Sequence, residues 1–213
     1  MISVVGYGSL LSERSARETV PGLINYRLVE VPGHRRIFNK VGVVFFSRHG
    51  ASADSLEIAS CSTEPSPGSA MICAQFELDE VDFAALYERE HRYRWIEVET
   101  HDRHGHVRTG RMCTGYNDRD YRLNKCITPQ EYQQRVGQYY GGALWRDDIL
   151  PFPRYLAFCL QAAAENGADV LGNFLDTSFL ADGITSIRQY VSQHPQLRNW
   201  REMDTGYSYL KVR

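Results

Sequence analysis

Short apolar runs, each broken by glycine or proline, fill the first part of the chain and give way near residue 127 to longer stretches with helical spacing. Residues 2–5 form an apolar run that stops at Gly6-Tyr7-Gly8, the pattern of a buried strand feeding a loop. Residues 12–19 read as a short helix closed by Val20-Pro21-Gly22. Strand composition follows over 23–31, ending at Pro32-Gly33, then over 35–39, 41–47 and, more weakly, 55–62. Residues 62–69 hold Pro65, Pro67 and Gly68 and read as a loop, with a further strand over 70–77. Asp79 has the place of a helix N-cap, Asp82 follows three residues on, and helical spacing runs to about His91. Residues 96–101 and 106–116 form a hairpin pattern around the turn residues Asp102-Arg103-His104-Gly105.

Beyond residue 127 the signals are helical. Thr128-Pro129-Gln130-Glu131 is a capping box with proline at the first helical position, and its helix should end at Gly141-Gly142. A second helix over 153–166 stops at Gly167, and shorter ones follow over 168–179 and 185–193 before Pro195. There is no internal repeat and no low-complexity tract. Strands first and helices afterwards make an α+β fold rather than a doubly wound one. The expected organisation is a β-rich core over 1–126 and a helical C-terminal extension over 127–213, packed together as one structural domain.

Length and composition narrow the function classes. A chain of 213 residues with 43% hydrophobic and 23% charged residues buries a core of its own. Its formal net charge of −2 gives no field for nucleic acid or an anionic membrane, and the cluster His34-Arg35-Arg36 reads as a solvated strand edge. The cysteines Cys61, Cys73, Cys113, Cys126 and Cys159 are odd in number and lack a Cys-x-x-Cys pair, as expected of reduced structural thiols. The first residues lack the basic and apolar regions of a signal peptide, and no run of about 18 apolar residues occurs. The expectation is a cytoplasmic protein.

Two features carry chemistry. In Tyr7-Gly8-Ser9-Leu10 a strand meets a glycine turn and then a short helix, which can aim several backbone N–H groups at one anion or developing oxyanion. The same tetrapeptide also fits a plain strand-to-helix turn. It is neither a phosphate P-loop nor a dinucleotide fingerprint. The second feature is Glu90, which shares one helix face with Phe83, Leu86 and Tyr87. A carboxylate set among apolar side chains is favoured in its protonated form and suits proton transfer near neutral pH. Glu88 falls on the solvated side, where Arg92 can pair with it.

Together these residues resemble the gamma-glutamylcyclotransferase-like superfamily. The resemblance rests on Gly6-Tyr7-Gly8-Ser9-Leu10, on Leu86-Tyr87-Glu88-Arg89-Glu90-His91, and on the intervening Gly33-His34-Arg35-Arg36-Ile37-Phe38, in matching order over residues 2–116. It implies a mixed β-barrel with flanking helices. It also implies a metal-independent, amide-cleaving lyase chemistry without cofactor. Glu90 would be the catalytic general acid/base, and Tyr7, Gly8, Ser9, Leu10 and Tyr93 would bind substrate. The α-amine of a γ-glutamyl compound would attack its own γ-carbonyl and release 5-oxoproline and an amine. Glutathione and γ-glutamyl amino acids are the implied substrates; the alternatives are a γ-glutamylamine or a non-catalytic binding role on the same fold. The implied partner is this small molecule, with neither nucleic acid nor membrane. The chain departs from the family in having His91-Arg92 where glycine often follows the glutamate, and in its longer helical tail.

Other residues fit plainer roles. His101, His104 and His106 sit with Asp102 in the hairpin turn, as a solvated turn rather than a metal site. His91 reads as a surface helix end, the alternative being that it tunes the adjacent Glu90 or contacts substrate. Tyr93 and Trp95 open the next strand and suit either a pocket wall or the core. Tyr155 opens the second tail helix after Pro151-Phe152-Pro153, and Ser9 lacks a Gly-x-Ser-x-Gly elbow for a nucleophile.

Overall fold

The computed structural model describes residues 1–206. The last part of the expected helical extension, 207–213, lies outside them. The first strand, β1 (Ile2–Gly6), leads through a 3₁₀ turn at Ser9–Leu11 into α1 (Glu13–Thr19). Two long strands follow, β2 (Ile24–Val41) and β3 (Glu57–Leu78), with α2 (Val43–Arg48) between them. Next come α3 (Glu80–Arg89) and the hairpin β4 (Arg94–Asp102) and β5 (Val107–Thr114).

These five strands close on themselves. β1 pairs antiparallel with β3 and parallel with β5; β5, β4, β2 and β3 then pair antiparallel in turn, so the ring has no free edge. The fold is α+β, a mixed closed β-barrel with flanking helices. Its first strand lies between β3 and β5, so the loop after β1 leaves the barrel wall at a fixed point.

β2 and β3 run on past the ring. The expected separate strands 23–31 and 35–39 are one strand, and 55–62, 62–69 and 70–77 are another. The proline and glycine signals mark a slip in register instead of a break. Pro32 pairs with Ala70 and His34 with Pro65, so residues 66–69 bulge opposite Gly33, with Gly33 and Gly68 both at positive φ. Residues 41–47 were expected as a strand, but most of them form α2 after Gly42. Packing decides it: the Phe45 ring stacks on Phe152 at 4.4 Å, which a pleated strand would turn away.

The C-terminal part contains α4 (Asp118–Lys125), α5 (Pro129–Tyr132) continuing as a π-helical turn at Gln133–Gly137, and β6 (Leu150–Pro151). Then come α6 (Pro153–Glu165), α7 (Ala168–Asp176), β7 (Ser178–Leu180) and α8 (Ile187–Gln193). The helix α4 has no counterpart in the sequence reading; its apolar face is almost entirely Tyr121, too little for a period to show. The expected helix 168–179 ends early because residues 178–180 turn to pair with β2. The expected caps at Asp79 and Thr128 are present, accepting from the amides of Asp82 and Glu131. One large buried cluster draws on barrel residues such as Val29, Met71 and Met112 and on tail residues such as Leu156, Leu160 and Phe174. All five cysteines are buried and unbridged. No described helix is long and apolar enough to cross a membrane.

Candidate active site

The loop after β1 is held from behind. The Tyr7 carbonyl accepts from Arg36 Nε at 2.6 Å. The Leu11 carbonyl accepts from the Tyr26 hydroxyl at 2.5 Å and from Asn166 Nδ2 at 2.6 Å. Gly8 O and Ser9 O take the amides of Leu11 and Ser12, which closes the 3₁₀ turn. The amides of Gly8, Ser9 and Leu10 have no backbone acceptor among the described residues. Three successive backbone donors thus stand together at the end of β1.

α3 supplies a carboxylate. It ends at Glu90, whose amide is bonded to Leu86 O and whose carbonyl takes the Tyr93 amide at 2.9 Å. The expected apolar face is present in part: Leu86 is buried, while Phe83 and Tyr87 pack with Trp95. The Glu90 side chain is 24% exposed and meets Arg89 Nε at 3.2 Å. It lies close enough to Tyr7, Tyr93, Cys113 and Lys40 to act on the ionisation of each.

Tyr7, Gly8, Ser9, Leu10, Glu90 and Tyr93 all line one cleft, together with Arg89, Trp95 and Tyr155. The cleft is narrow, with a cavity volume of about 60 Å³. Tyr93 is buried, and its hydroxyl is 2.9 Å from Cys61 O, so it serves as wall and is turned towards the barrel. Burial and then the nearby Glu90 push its hydroxyl well above the usual tyrosine range. Burial and the neighbouring Tyr93 do the same to Tyr7.

Several residues differ from the sequence reading. Arg36 is fully buried, so His34-Arg35-Arg36 is not a solvated edge; the strand turns Arg36 into the core while Arg35 pairs with Glu64. His91 is also buried, its ring against Tyr121 with Nδ1 3.3 Å from the Tyr121 hydroxyl, because α4 covers the end of α3. Glu88 pairs with Arg135 at 2.5 Å, not with Arg92, whose guanidinium reaches Arg135 O. The histidine turn is exposed as expected: His106 Nδ1 is 2.9 Å from Asp102, and His101 Nε2 is 2.6 Å from Glu99.

Tyr155 lines the cleft and Lys40 lies behind its wall; neither is among the residues the sequence assigns to substrate. Tyr155 reaches the cleft from α6; only its place after a proline pair hinted at a special helix start. Lys40 is buried under the Tyr93 ring, with Nζ 4.6 Å from the ring centroid and 3.5 Å from Ser60 Oγ. Burial, with Arg92 near, lowers its pKa to about 7. A buried lysine in a strand leaves no signature in a single sequence.

No protein-family model matches the sequence, and no curated relative matches it. Among solved structures, the chain is similar to a gamma-glutamyl cyclotransferase, with 17% identity and a TM-score of 0.46 over 70% of this chain and 88% of that one. It is similar to a gamma-glutamyl cyclotransferase specific to glutathione from yeast, at 13% identity and TM-score 0.42 over 98% and 96% of the two chains. A protein from Arabidopsis thaliana shares 12% identity at TM-score 0.41 over 63% and 87%.

Proposed function

We propose that the protein is a gamma-glutamylcyclotransferase-like enzyme that releases 5-oxoproline from a γ-glutamyl amino acid or glutathione. The observation that carries this reading is that Glu90 lines the same cleft as Gly8, Ser9 and Leu10, whose amides have no backbone acceptor among the described residues. The substrate's γ-carbonyl oxygen sits against those amides. Its α-amine, having lost its extra proton to solvent, attacks the γ-carbonyl carbon, a C–N bond forms, and negative charge collects on the oxygen, where fixed N–H dipoles stabilise it. Glu90 takes the proton from the attacking nitrogen and gives it to the departing nitrogen as the original amide bond breaks. Ring closure is intramolecular, so proximity supplies much of the rate. The nucleophile belongs to the substrate, and no cofactor enters the scheme. Arg89, beside Glu90 in the wall, offers a counter-charge to the α-carboxylate that every such substrate carries.

In this reading residues 1–126 form the barrel that carries the chemistry, and the helical tail covers its open side with Tyr155. The five unbridged thiols support a reducing, cytoplasmic setting. The test is 5-oxoproline release from a panel of γ-glutamyl compounds, with Glu90→Gln as control. Loss of release in that variant is expected; unchanged turnover sinks the role of Glu90.

A further inference from the structure

The proposed chemistry makes no use of Arg36, a charged residue of the core. Arg36 is fully buried on β2 and has no carboxylate partner among the described residues. Its fork is filled by neutral groups instead. Nε donates to Tyr7 O at 2.6 Å, Nη1 to Thr177 Oγ1 at 2.8 Å, and Nη2 to Ile72 O, with Cys73 Sγ at 3.9 Å. Its carbon lies 4.7 Å from the centre of the Phe174 ring. A buried charge without a counter-ion is costly, and leucine or methionine would fill the same space at less cost.

We infer that Arg36 is a positioning residue that sets the Tyr7–Gly8 peptide, so that the Gly8 N–H faces the cleft as a strengthened donor. The argument rests on the reading of this loop as the holder of the substrate oxygen. A trans peptide is planar, and its C=O and N–H point in opposite directions. Fixing Tyr7 O on a guanidinium at the core side therefore fixes the Gly8 N–H towards the other side, where Gly8 lines the cleft. A charged donor on the oxygen also draws electron density through the amide and makes the N–H on its far end a better donor. A neutral donor could hold the plane but would polarise it less.

The arrangement carries the tail into the site. Thr177, at the end of α7, takes one arm of Arg36 by its hydroxyl and the Arg36 amide by its carbonyl at 2.9 Å. The side chain of Thr177 is itself held by Asn173 O at 2.8 Å. The helical extension thus braces the loop from behind, through a residue that touches no substrate.

The test uses the ¹⁵N-labelled full chain with Arg36→Lys, Arg36→Met and Thr177→Val, reading the Gly8 amide resonance, thermal unfolding, and kcat and KM separately. In Arg36→Met the Gly8 nitrogen shift should move while resonances of the far barrel strands stay. Its kcat should fall on the order of 10- to 10²-fold, less than for deletion of a direct oxyanion donor, with little change in KM. Arg36→Lys, which keeps the charge without the fork, should recover part of both, and Thr177→Val should fall between it and the native chain. A folded Arg36→Met with an unmoved Gly8 resonance and native kcat overturns the inference, whatever its thermal stability. Where the Arg36 variants do not fold, the native chain decides: scalar coupling across the hydrogen bond from Arg36 Nε to the Tyr7 carbonyl carbon is expected, and its absence overturns the assignment. A chain that turns over no γ-glutamyl compound, but whose Gly8 resonance follows Arg36, defeats the reaction and keeps the positioning. Native turnover with an unresponsive Gly8 does the reverse.

Discussion

The Tyr155 hydroxyl stands so close to the Gly8 backbone that a methyl group on Gly8 would lie 3.2 Å from it, with Cys159 Sγ at 3.7 Å. Helix α6 therefore sets how wide the cleft is at the loop. Gly8→Ala should lower kcat/KM while leaving the barrel folded, because either the tyrosine or the loop must give way by a few tenths of an ångström. In a Tyr155→Phe background the hydroxyl is gone and the same methyl should cost less. A double-mutant cycle on kcat/KM should show coupling of roughly 0.5–3 kcal/mol. Additive losses would mean that the contact does not shape the site.

Lys40 makes a pH prediction. Its pKa falls from 10.5 in the open chain to about 7 in the fold, burial being the main cause. Between those values the unfolded chain holds more protons than the folded one, so this group makes stability rise with pH. Its penalty is complete below about pH 7 and fades towards pH 10.5. Lys40→Met should therefore stabilise the protein most at pH 6–7, by up to about 5 kcal/mol at about 1.4 kcal/mol per unit. The gain should shrink as pH rises towards 10. Urea titrations of both proteins across this range would show it; a constant gap would mean that Lys40 is charged in the fold throughout.

Asn173 ties α7 to the inner edge of β3. Its Oδ1 accepts the Ile72 amide at 2.8 Å and its Nδ2 donates to Ala70 O at 2.9 Å. Asn173→Ala leaves both backbone groups without that partner, and the expected loss is roughly 1–3 kcal/mol per unsatisfied group. Equilibrium unfolding measures it. A loss below the scatter of the titration would show that water replaces the side chain.

The thiols give a labelling prediction. Burial pushes Cys73 up to about 11 and Cys159 up to about 12, so neither is a thiolate near neutrality. A thiol reagent under native conditions should modify both only as fast as the chain opens, and the two rates should coincide. Rapid labelling of either would expose a local opening of β3 or α6.

Much of this was legible in the sequence, for identifiable reasons. The helix around Glu90 announced itself because Asp79, Phe83, Leu86 and Tyr87 combine a cap with a period. The hairpin β4–β5 did so because Asp102-Arg103-His104-Gly105 is turn chemistry. The continuity of β2 and β3 was hidden, since Pro32-Gly33 and the run from Pro65 to Gly68 signal a break and the strands answer with a bulge. The burial of Arg36 and Lys40 was hidden more deeply. Both are charged residues on strands, and only partners far along the chain, Thr177 for one and Tyr93 for the other, take them into the core.

The seat of β1 between β3 and β5 has a consequence for how the protein is made. Its register partners are residues 74–78 on one side and 111–112 on the other. In a growing chain this apolar strand has two unpaired edges, one of which waits about seventy residues for β3 and the other just over a hundred for β5. Such a segment pairs readily with a neighbouring chain, and holdase chaperones should bind nascent forms at residues 2–6. The same delay means that the loop at Gly8 takes its shape only when α6 and Thr177 have arrived. No shortened product of translation holds a finished cleft, and appearance of turnover during synthesis would time the completion of the whole fold.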